Sequence, residues 1–351
     1  MKTYIIRRLL LLVVTVFGVL VTNFAIIQLA PGGPIERIAA KYSSGPGKAA
    51  PAAGGGSQSA YQGAEALNPA LVRELEARFG FDRPLSRRFA GMLWDYLRFD
   101  FGRSYYRDAS VLDIISEKLP VSLSLSLWST AIIYLVAIPL GIRKAVRDGS
   151  PFDVWSSVAM NALCAIPGFI LAVLLIVLLA GGSFINVFPV RGLVSPNWHE
   201  LGLWGRVADY LWHIALPVTC MAVSGLAMLT MLTKNSFADE LGKLYVTAAR
   251  AKGLAEDAIL RRHVFRNAML VVISSFPLTF LSALFTGSML IEVIFSLDGI
   301  GSLGFQSVLD RDYPVVFATL YIYSLLGLVS KLVGDIIMTM VDPRISFDAV
   351  G

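Results

Sequence analysis

Charged residues are scarce in this chain of 351 residues, because only 16% are Asp, Glu, Lys or Arg. A soluble globular domain averages about 25%. Hydrophobic residues make up 56% of the chain, and the mean hydropathy is +0.66. The shortage of charge excludes an ordinary soluble domain and indicates a protein of the lipid bilayer.

Cysteine and histidine are also few. Cys164 and Cys220 both lie inside apolar segments, and their spacing suggests neither a metal site nor a redox site, so we interpret them as packing thiols. The chain has only three histidines, and none belongs to a Cys/His cluster or a Ser/His pair. We therefore expect no metal on this chain and no nucleophilic catalysis.

A nucleotide-binding loop is missing as well. The chain contains no G-x-x-x-x-G-K-[ST] sequence, since Gly47 and Lys48 are followed by Ala49. We expect neither ATP hydrolysis nor another cofactor on this chain. The net charge of +5 does not indicate nucleic acid, because the cations are distributed by membrane side, as described below.

Long apolar segments are what the chain has instead. A spanning helix needs ~20 apolar residues, because the hydrocarbon core is ~30 Å thick and each residue rises ~1.5 Å. The first candidate lies in residues 1–30 and is too long for a signal peptide, so we expect it to be retained. Five more candidates occupy residues 119–142, 154–180, 210–233, 267–291 and 313–341. The sequence predicts an all-α polytopic membrane protein with six transmembrane helices.

Lys and Arg residues mark the two sides of the membrane. The N-terminus, the loop around Arg143, the loop 234–266 and the tail hold 14 of them, whereas the two short opposite loops hold only Arg191, Arg206 and Arg311. Short cytoplasmic loops carry the excess of cations. This asymmetry predicts cytoplasmic N- and C-termini, with residues 346–351 as a cytoplasmic tail.

Residues 31–118 are predicted to lie on the opposite, periplasmic side. Residues 43–63 are rich in Gly, Ala, Ser and Pro and are expected to be flexible, since they cannot bury enough apolar surface. Residues 68–79 and 84–99 have the periodicity of amphipathic helices. We expect a small helical cap on the membrane surface, followed by a permease core over residues 119–345.

The loop 234–266 is the most distinctive short segment. Ala248, Ala249 and Ala251 favour a helix, and Gly253 stands where a glycine ends one. The next segment begins with acidic residues and ends with basic ones, which suits a second short helix. Small side chains permit close approach of another protein, so docking of a soluble partner and an ordinary surface hairpin both remain open.

Two groups of ionisable residues lie near the ends of the later apolar segments. Glu292, Phe295 and Asp298 are candidates for a periplasmic gate or a pathway contact, and an interfacial carboxylate is the alternative for Glu292. Lys331 and Asp335 are four residues apart on one helix and are predicted to form a structural ion pair. A proton relay is the alternative for that pair.

Several motifs resemble binding-protein-dependent ABC importer permeases, in particular the di- and oligopeptide branch. The coupling motif of that family, Glu-Ala-Ala followed by Gly, corresponds to Thr247-Ala248-Ala249 and Gly253. The Glu is replaced by Thr247, and Arg266 stands where the general motif has Pro; both changes are usual in the peptide branch. Other similar stretches are residues 30–34, 81–85, 100–104, 165–169, 212–217, 291–296, 311–314 and 342–344. The Gly-rich insert and residues 93–102 resemble the Yej-type subgroup, which is associated with microcin C and cell-wall peptides.

The resemblance implies a type I importer permease fold in the bacterial inner membrane. It implies a second homologous permease, ABC ATPase subunits that carry ATP and Mg, and a periplasmic peptide-binding protein as partners. Residues 241–266 would couple to the ATPase. The coupling residues implied are Tyr245, Thr247, Ala248, Ala249, Arg250, Lys252, Gly253, Leu254, Arg262, His263 and Arg266.

Two other classes of function remain as alternatives. A proton-coupled secondary transporter would need titrating groups within the membrane. In this chain those groups are limited to Glu292, Lys331 and Asp335, all toward helix ends. A polytopic membrane enzyme would need a converging nucleophile and base or a metal set, which the sequence does not indicate.

Overall fold

A computed structural model describes residues 2–29, 84–181, 184–284 and 288–341. Within these ranges the regular structure is helical, apart from an isolated bridge between Arg103 and Ser110. The first helices are α1 (Lys2–Leu29), α2 (Leu85–Leu97), α3 (Val111–Val146), α4 (Pro151–Cys164), α5 (Gly168–Leu179) and α6 (Leu203–Leu241). They are followed by α7 (Leu244–Ala251), α8 (Glu256–Ile259), a π-turn (Leu260–Val264), α9 (Phe265–Ser274), α10 (Phe276–Ser282), α11 (Ser288–Ile294), α12 (Ile300–Asp310) and α13 (Tyr313–Val341). The all-α prediction is confirmed.

Among the residues that the structure describes, four helical stretches are long and apolar enough to cross a membrane: Val111–Val146, Leu203–Leu241, Glu256–Ser282 and Tyr313–Ile336. The pair α4 and α5 qualifies as a fifth, bent by 89°. Its break lies at Pro167, where the ring removes a backbone donor and the preceding residue cannot continue a helix. The number six and the orientation of the termini stay predictions.

The observed helix boundaries differ from the expected ones for the apolar segment that follows the loop 234–266. The stretch predicted as 267–291 begins at Glu256 and ends at Ser282. Hydropathy marks only the apolar part of a helix, and here the helix continues through the charged residues of the π-turn. The predicted amphipathic helix over 84–99 corresponds to α2, whereas residues 43–63, 68–79 and 346–351 lie outside the described residues.

The described residues fall into two compact units. Of the described residues, one contains 2–9, 116–305 and 325–341, and its helices pack closely where small residues permit it. A Cβ atom at Gly141 of α3 would lie 2.6 Å from Cβ of Thr233 in α6, so only glycine allows this approach. This packing fixes the helix pair α3 and α6, from which the turn before α4 and the loop before α7 extend.

Of the described residues, the second unit contains 10–29, 84–115 and 306–324. In it, Ser104 donates a hydrogen bond to the buried carboxylate of Asp312, and the backbone N–H of Tyr105 lies 3.2 Å from the other oxygen. Burial raises the pKa of Asp312. Two motifs of the family resemblance, 208 residues apart along the chain, are therefore in direct contact.

Candidate functional site

The loop between α6 and α9 has the local structure that its sequence predicts. Helix α7 ends at Ala251, and Gly253 has φ +80°, a backbone conformation that only glycine adopts without strain. The N–H of Gly253 bonds to the carbonyl of Arg250 at 2.9 Å, and that of Leu254 bonds to the carbonyl of Ala249 at 3.3 Å. These two bonds form a Schellman motif, which terminates α7 and turns the chain into α8.

Helix α7 is held by one buried face. Val246 is fully buried and Ala249 is 7% exposed, and both belong to one apolar cluster with Ile259, Val264 and Ala268. Burial of such side chains contributes roughly 25 cal/mol per Å² of apolar surface. Ala249, which the resemblance implied as a coupling residue, is thus an anchor of the loop and not part of its surface.

The opposite face of α7 is exposed. Thr247, Ala248 and Ala251 are exposed, and Leu244 is 87% exposed. These four residues have the spacing i, i+3, i+4 and i+7, which places them on one side of a helix. We call this face the outer stripe. Sequence analysis missed Leu244, although its helical spacing from Thr247, Ala248 and Ala251 could have revealed it.

A polar network ties the start of α7 to its neighbours. Glu240 at the end of α6 accepts a hydrogen bond from Lys243 and another from the Tyr245 hydroxyl at 2.6 Å, and Asn267 of α9 lies 3.5 Å from that hydroxyl. The hydrogen bond to Glu240 raises the pKa of Lys243. Burial, and next the bond to Glu240, raises the pKa of Tyr245. Tyr245 therefore joins three segments, and only part of its side chain is exposed.

Of the remaining residues implied for coupling, Arg250 forms an ion pair within the loop and the others are exposed. The Arg250 guanidinium binds Glu256 through two contacts of 2.6 and 3.1 Å and so braces the turn at Gly253. Arg261 pairs with Asp257 at 3.0 Å. The other residues, all exposed, are Lys252, Gly253, Leu254, Arg262, His263 and Arg266.

Sequence analysis missed a second cluster, at the turn between α3 and α4. Lys144 is fully buried, and its Nζ lies 3.0 Å from Asp153 Oδ1 and within 2.8 Å of Ser156 and Ser157. Lys234 of α6 lies 2.7 Å from the other oxygen of Asp153. Two lysines therefore share one carboxylate and fasten α3, α4 and α6 together. Nothing in the spacing of these residues along the chain indicates this convergence.

Glu292 is buried in a closed polar site. Its carboxylate accepts hydrogen bonds from Ser122 Oγ at 2.6 Å and from the Ser302 N–H at 2.9 Å, and Ser122 Oγ in turn accepts from the Ile300 N–H at 2.8 Å. A Cβ atom at Gly299 would overlap the Glu292 carboxylate. Residues 292–302, which we call the carboxylate loop, are thereby held against α3.

Phe295 and Asp298 differ in exposure. Phe295 is 1% exposed inside the main apolar core, whereas Asp298 is exposed and pairs with Lys118. The gate or pathway role of Glu292, Phe295 and Asp298 stays a prediction, as does the ion pair between Lys331 and Asp335.

A cavity of about 570 Å³ lies among α3, α5, α6, α10 and α11. Apolar side chains dominate its lining, with hydroxyl groups from Ser224, Ser275, Thr279 and Ser282. None of the described residues that line it is charged. Met228, which is 73% exposed, stands at its edge. A pocket of this kind suits a ligand of mixed polarity without a net charge requirement.

Known proteins resemble the chain along its whole length. It is 53% identical to the inner membrane ABC transporter permease protein YejB of Escherichia coli O157:H7, over 99% of this chain and all of that protein. It is 52% identical to the peptidoglycan transport system permease protein YejB of Agrobacterium fabrum, over 99% of each chain. It is 30% identical to the oligopeptide transport system permease protein AppB of Bacillus subtilis, over 99% of this chain and all of that protein.

The fold has a counterpart among solved structures. An inward-facing structure of the MetNI methionine ABC transporter matches with a TM-score of 0.50 at 16% identity, over 65% of this chain and 96% of that chain. Residues 137–347 match the family described as binding-protein-dependent transport system inner membrane component. This chain belongs to that family and is a multi-pass protein of the inner membrane.

Proposed function

We propose that this chain is the permease subunit of an ATP-driven importer that takes up peptides or peptide-like compounds. Family membership supports transport that depends on a binding protein. The relatives named for peptidoglycan and oligopeptide transport support a peptide cargo. Cell-wall peptides and antibiotics of the microcin C type are the narrower candidates within that class.

The proposed assembly contains four kinds of component. A second homologous permease completes the translocation path, and a periplasmic binding protein delivers the cargo. ATP and Mg bind to ABC ATPase subunits on the cytoplasmic side, and this chain holds no cofactor itself. Six spans with both termini in the cytoplasm place the loop 234–266 on the ATPase side, as the distribution of Lys and Arg predicts.

The exposure of the outer stripe is the observation that supports the proposed docking role. Leu244 is 87% exposed beside two exposed alanines, whereas Val246 on the opposite face of α7 is fully buried. Exposure of a leucine next to small side chains suits burial against a partner, because close approach removes apolar surface from water. The stripe is therefore the proposed contact with the ATPase.

The uncharged cavity is the proposed contribution of this chain to the translocation path. Methionine side chains such as Met221 and Met228 adapt to varied shapes, and hydroxyl groups can bond to peptide groups. Switching a two-state equilibrium from 1:99 to 99:1 takes ~5.5 kcal/mol, which docked ATPases can supply through differential binding.

Reconstitution in liposomes tests the function as a whole. The purified complex of both permeases, the ATPase and the binding protein is expected to accumulate labelled peptide only when ATP is present on the ATPase side. Uptake driven by a proton gradient without ATP would instead establish the secondary transporter. Chemical conversion of the peptide by the isolated chain would establish a membrane enzyme.

Leu244→Asp tests the docking role. A carboxylate in the middle of a buried apolar contact costs several kcal/mol, so the ATPase is expected to be lost from the purified complex while the permease pair stays intact. Leu203→Asp is the matched control, because Leu203 is also the first residue of its helix and is 74% exposed, at the other end of α6. Equal recovery of ATPase with both variants would rule out docking through the outer stripe.

A further inference from the structure

We call residues 241–266 the coupling loop. One helical stretch begins in this loop and reaches the cavity. It runs over 27 residues, Glu256–Ser282, and comprises α8, the π-turn, α9 and α10. Its first turns pack with α7 through Ile259 and Val264. Its last turns contribute Leu278, Thr279 and Ser282 to the cavity lining. A displacement of α7 therefore reaches the cavity wall through this stretch.

The stretch is interrupted at a single residue between α9 and α10. Helix α9 ends at Ser274 and α10 begins at Phe276, with Pro277 in its first turn. Proline lacks the N–H that would continue the helical ladder, and such sites bend. The Ser275 N–H lies 3.3 Å from the carbonyls of both Val271 and Val272, so it is shared between two helical geometries. Ser275 is thus the place where the stretch can change its angle.

A tyrosine from α3 binds at this place. The Tyr134 hydroxyl lies 3.2 Å from the carbonyl of Val272 and 2.9 Å from the hydroxyl of Ser275. Ser275 Oγ also donates to the Val272 carbonyl at 2.7 Å. The Tyr134 ring packs edge-on against Phe276, with 5.6 Å between centroids. One side chain therefore contacts residues on both sides of the break.

Helix α13 packs against Pro277 in the first turn of α10. A Cβ atom at Gly334 of α13 would lie 2.6 Å from Cγ of Pro277, so the two segments touch directly. The break is consequently contacted by α3 through Tyr134 and by α13 through Gly334, and both are long apolar helices. Its angle is determined by contacts with fixed neighbours, and the hydrogen bonds of Tyr134 are the directional part of those contacts.

We propose that Tyr134 is a positioning residue that sets the angle between α9 and α10 and thereby couples the ATPase-side loop to the cavity wall. This inference rests on the proposed function. The hydroxyl holds the Val272 carbonyl and Ser275 in one arrangement, so that movement of α9 is transmitted to Leu278, Thr279 and Ser282. Without the hydroxyl, the break absorbs the movement and ATP hydrolysis no longer drives the cavity wall.

Tyr134→Phe in the reconstituted four-component complex tests this role. The substitution keeps the ring contact with Phe276 and removes only the hydroxyl. The number of peptides taken up per ATP hydrolysed is expected to fall about fivefold, in line with the net free energy of one hydrogen bond. ATPase recovery in the complex and its basal ATP hydrolysis are expected to stay at the wild-type level.

Tyr210→Phe is the matched control. Tyr210 of α6 also forms a hydrogen bond to a serine of α3, Ser124, but it lies away from the break. A residue with a merely structural role changes the yield or the thermal stability of the complex, and leaves the peptide-to-ATP ratio unchanged. The Tyr210 variant is therefore expected to keep the wild-type ratio.

Ser275→Ala provides an independent variant if the Tyr134 change impairs assembly. It removes one partner of the Tyr134 hydroxyl and leaves the Val272 carbonyl and Thr279, so a smaller loss of coupling is expected, with a double variant no worse than Tyr134→Phe alone. An unchanged ratio in both single variants overturns the inference while wild-type uptake preserves the proposed function. Absence of ATP-dependent uptake by the wild-type complex overturns both.

Discussion

The coupling loop and the carboxylate loop are both built around a glutamate, yet they leave very different surfaces. Glu240 is 9% exposed and is paired with Lys243 and Tyr245, and the segment after it presents the outer stripe. Glu292 is fully buried and is bound by Ser122 and Ser302. The buried Glu292 carboxylate is bound within the protein and the exposed Asp298 of the same loop is paired with Lys118, whereas the first loop exposes the apolar side chain of Leu244 on the outer stripe. The surface that each loop presents to a partner therefore depends less on the position of its glutamate than on which neighbouring side chains are exposed.

Gly299→Ala is expected to have the largest effect, because the added Cβ atom would overlap the Glu292 carboxylate. Displacing that carboxylate separates it from Ser122 and Ser302, and the free energy of unfolding is expected to fall by about 3 kcal/mol. Thermal unfolding of the detergent-solubilised permease measures the change. Gly304→Ala is the control, since no atom lies within 4 Å of its Cβ position. Equal stability of the two variants would contradict the closed geometry of the carboxylate loop.

Sequence reasoning succeeded where the signal was local. Gly253 was expected to end a helix from its neighbours alone, and its φ of +80° and the two backbone bonds agree.

Contacts between segments that are far apart along the chain could not be predicted from the sequence. Ser122 and Glu292 are 170 residues apart, and Lys144, Asp153 and Lys234 meet only after three helices have packed. The resemblance implied Ala249 as a coupling residue, and small size alone does not tell whether such an alanine is exposed or buried. Burial depends on the direction in which the helix packs, and the cluster around Val246 determines that direction.

Tyr245→Phe tests how much the hydrogen bond to Glu240 stabilises the coupling loop. Loss of the 2.6 Å bond to Glu240 is expected to cost about 1 kcal/mol, because Lys243 still satisfies the carboxylate. Hydrogen exchange of residues 244–251 is expected to become faster, while exchange in residues 300–305 stays unchanged. Faster exchange in both segments would mean that the two loops are not independent.

Arg261→Ala is expected to have the smallest effect. Its pair with Asp257 is an exposed i, i+4 contact of 3.0 Å, and such pairs contribute ~0.5 kcal/mol or less because water and salt screen them. Thermal unfolding and ATPase recovery should both remain at the wild-type level. A clear loss of ATPase with unchanged stability would extend the docking surface from the outer stripe to the π-turn. The coupling loop would then bind its partner through charge as well as through the apolar face of α7.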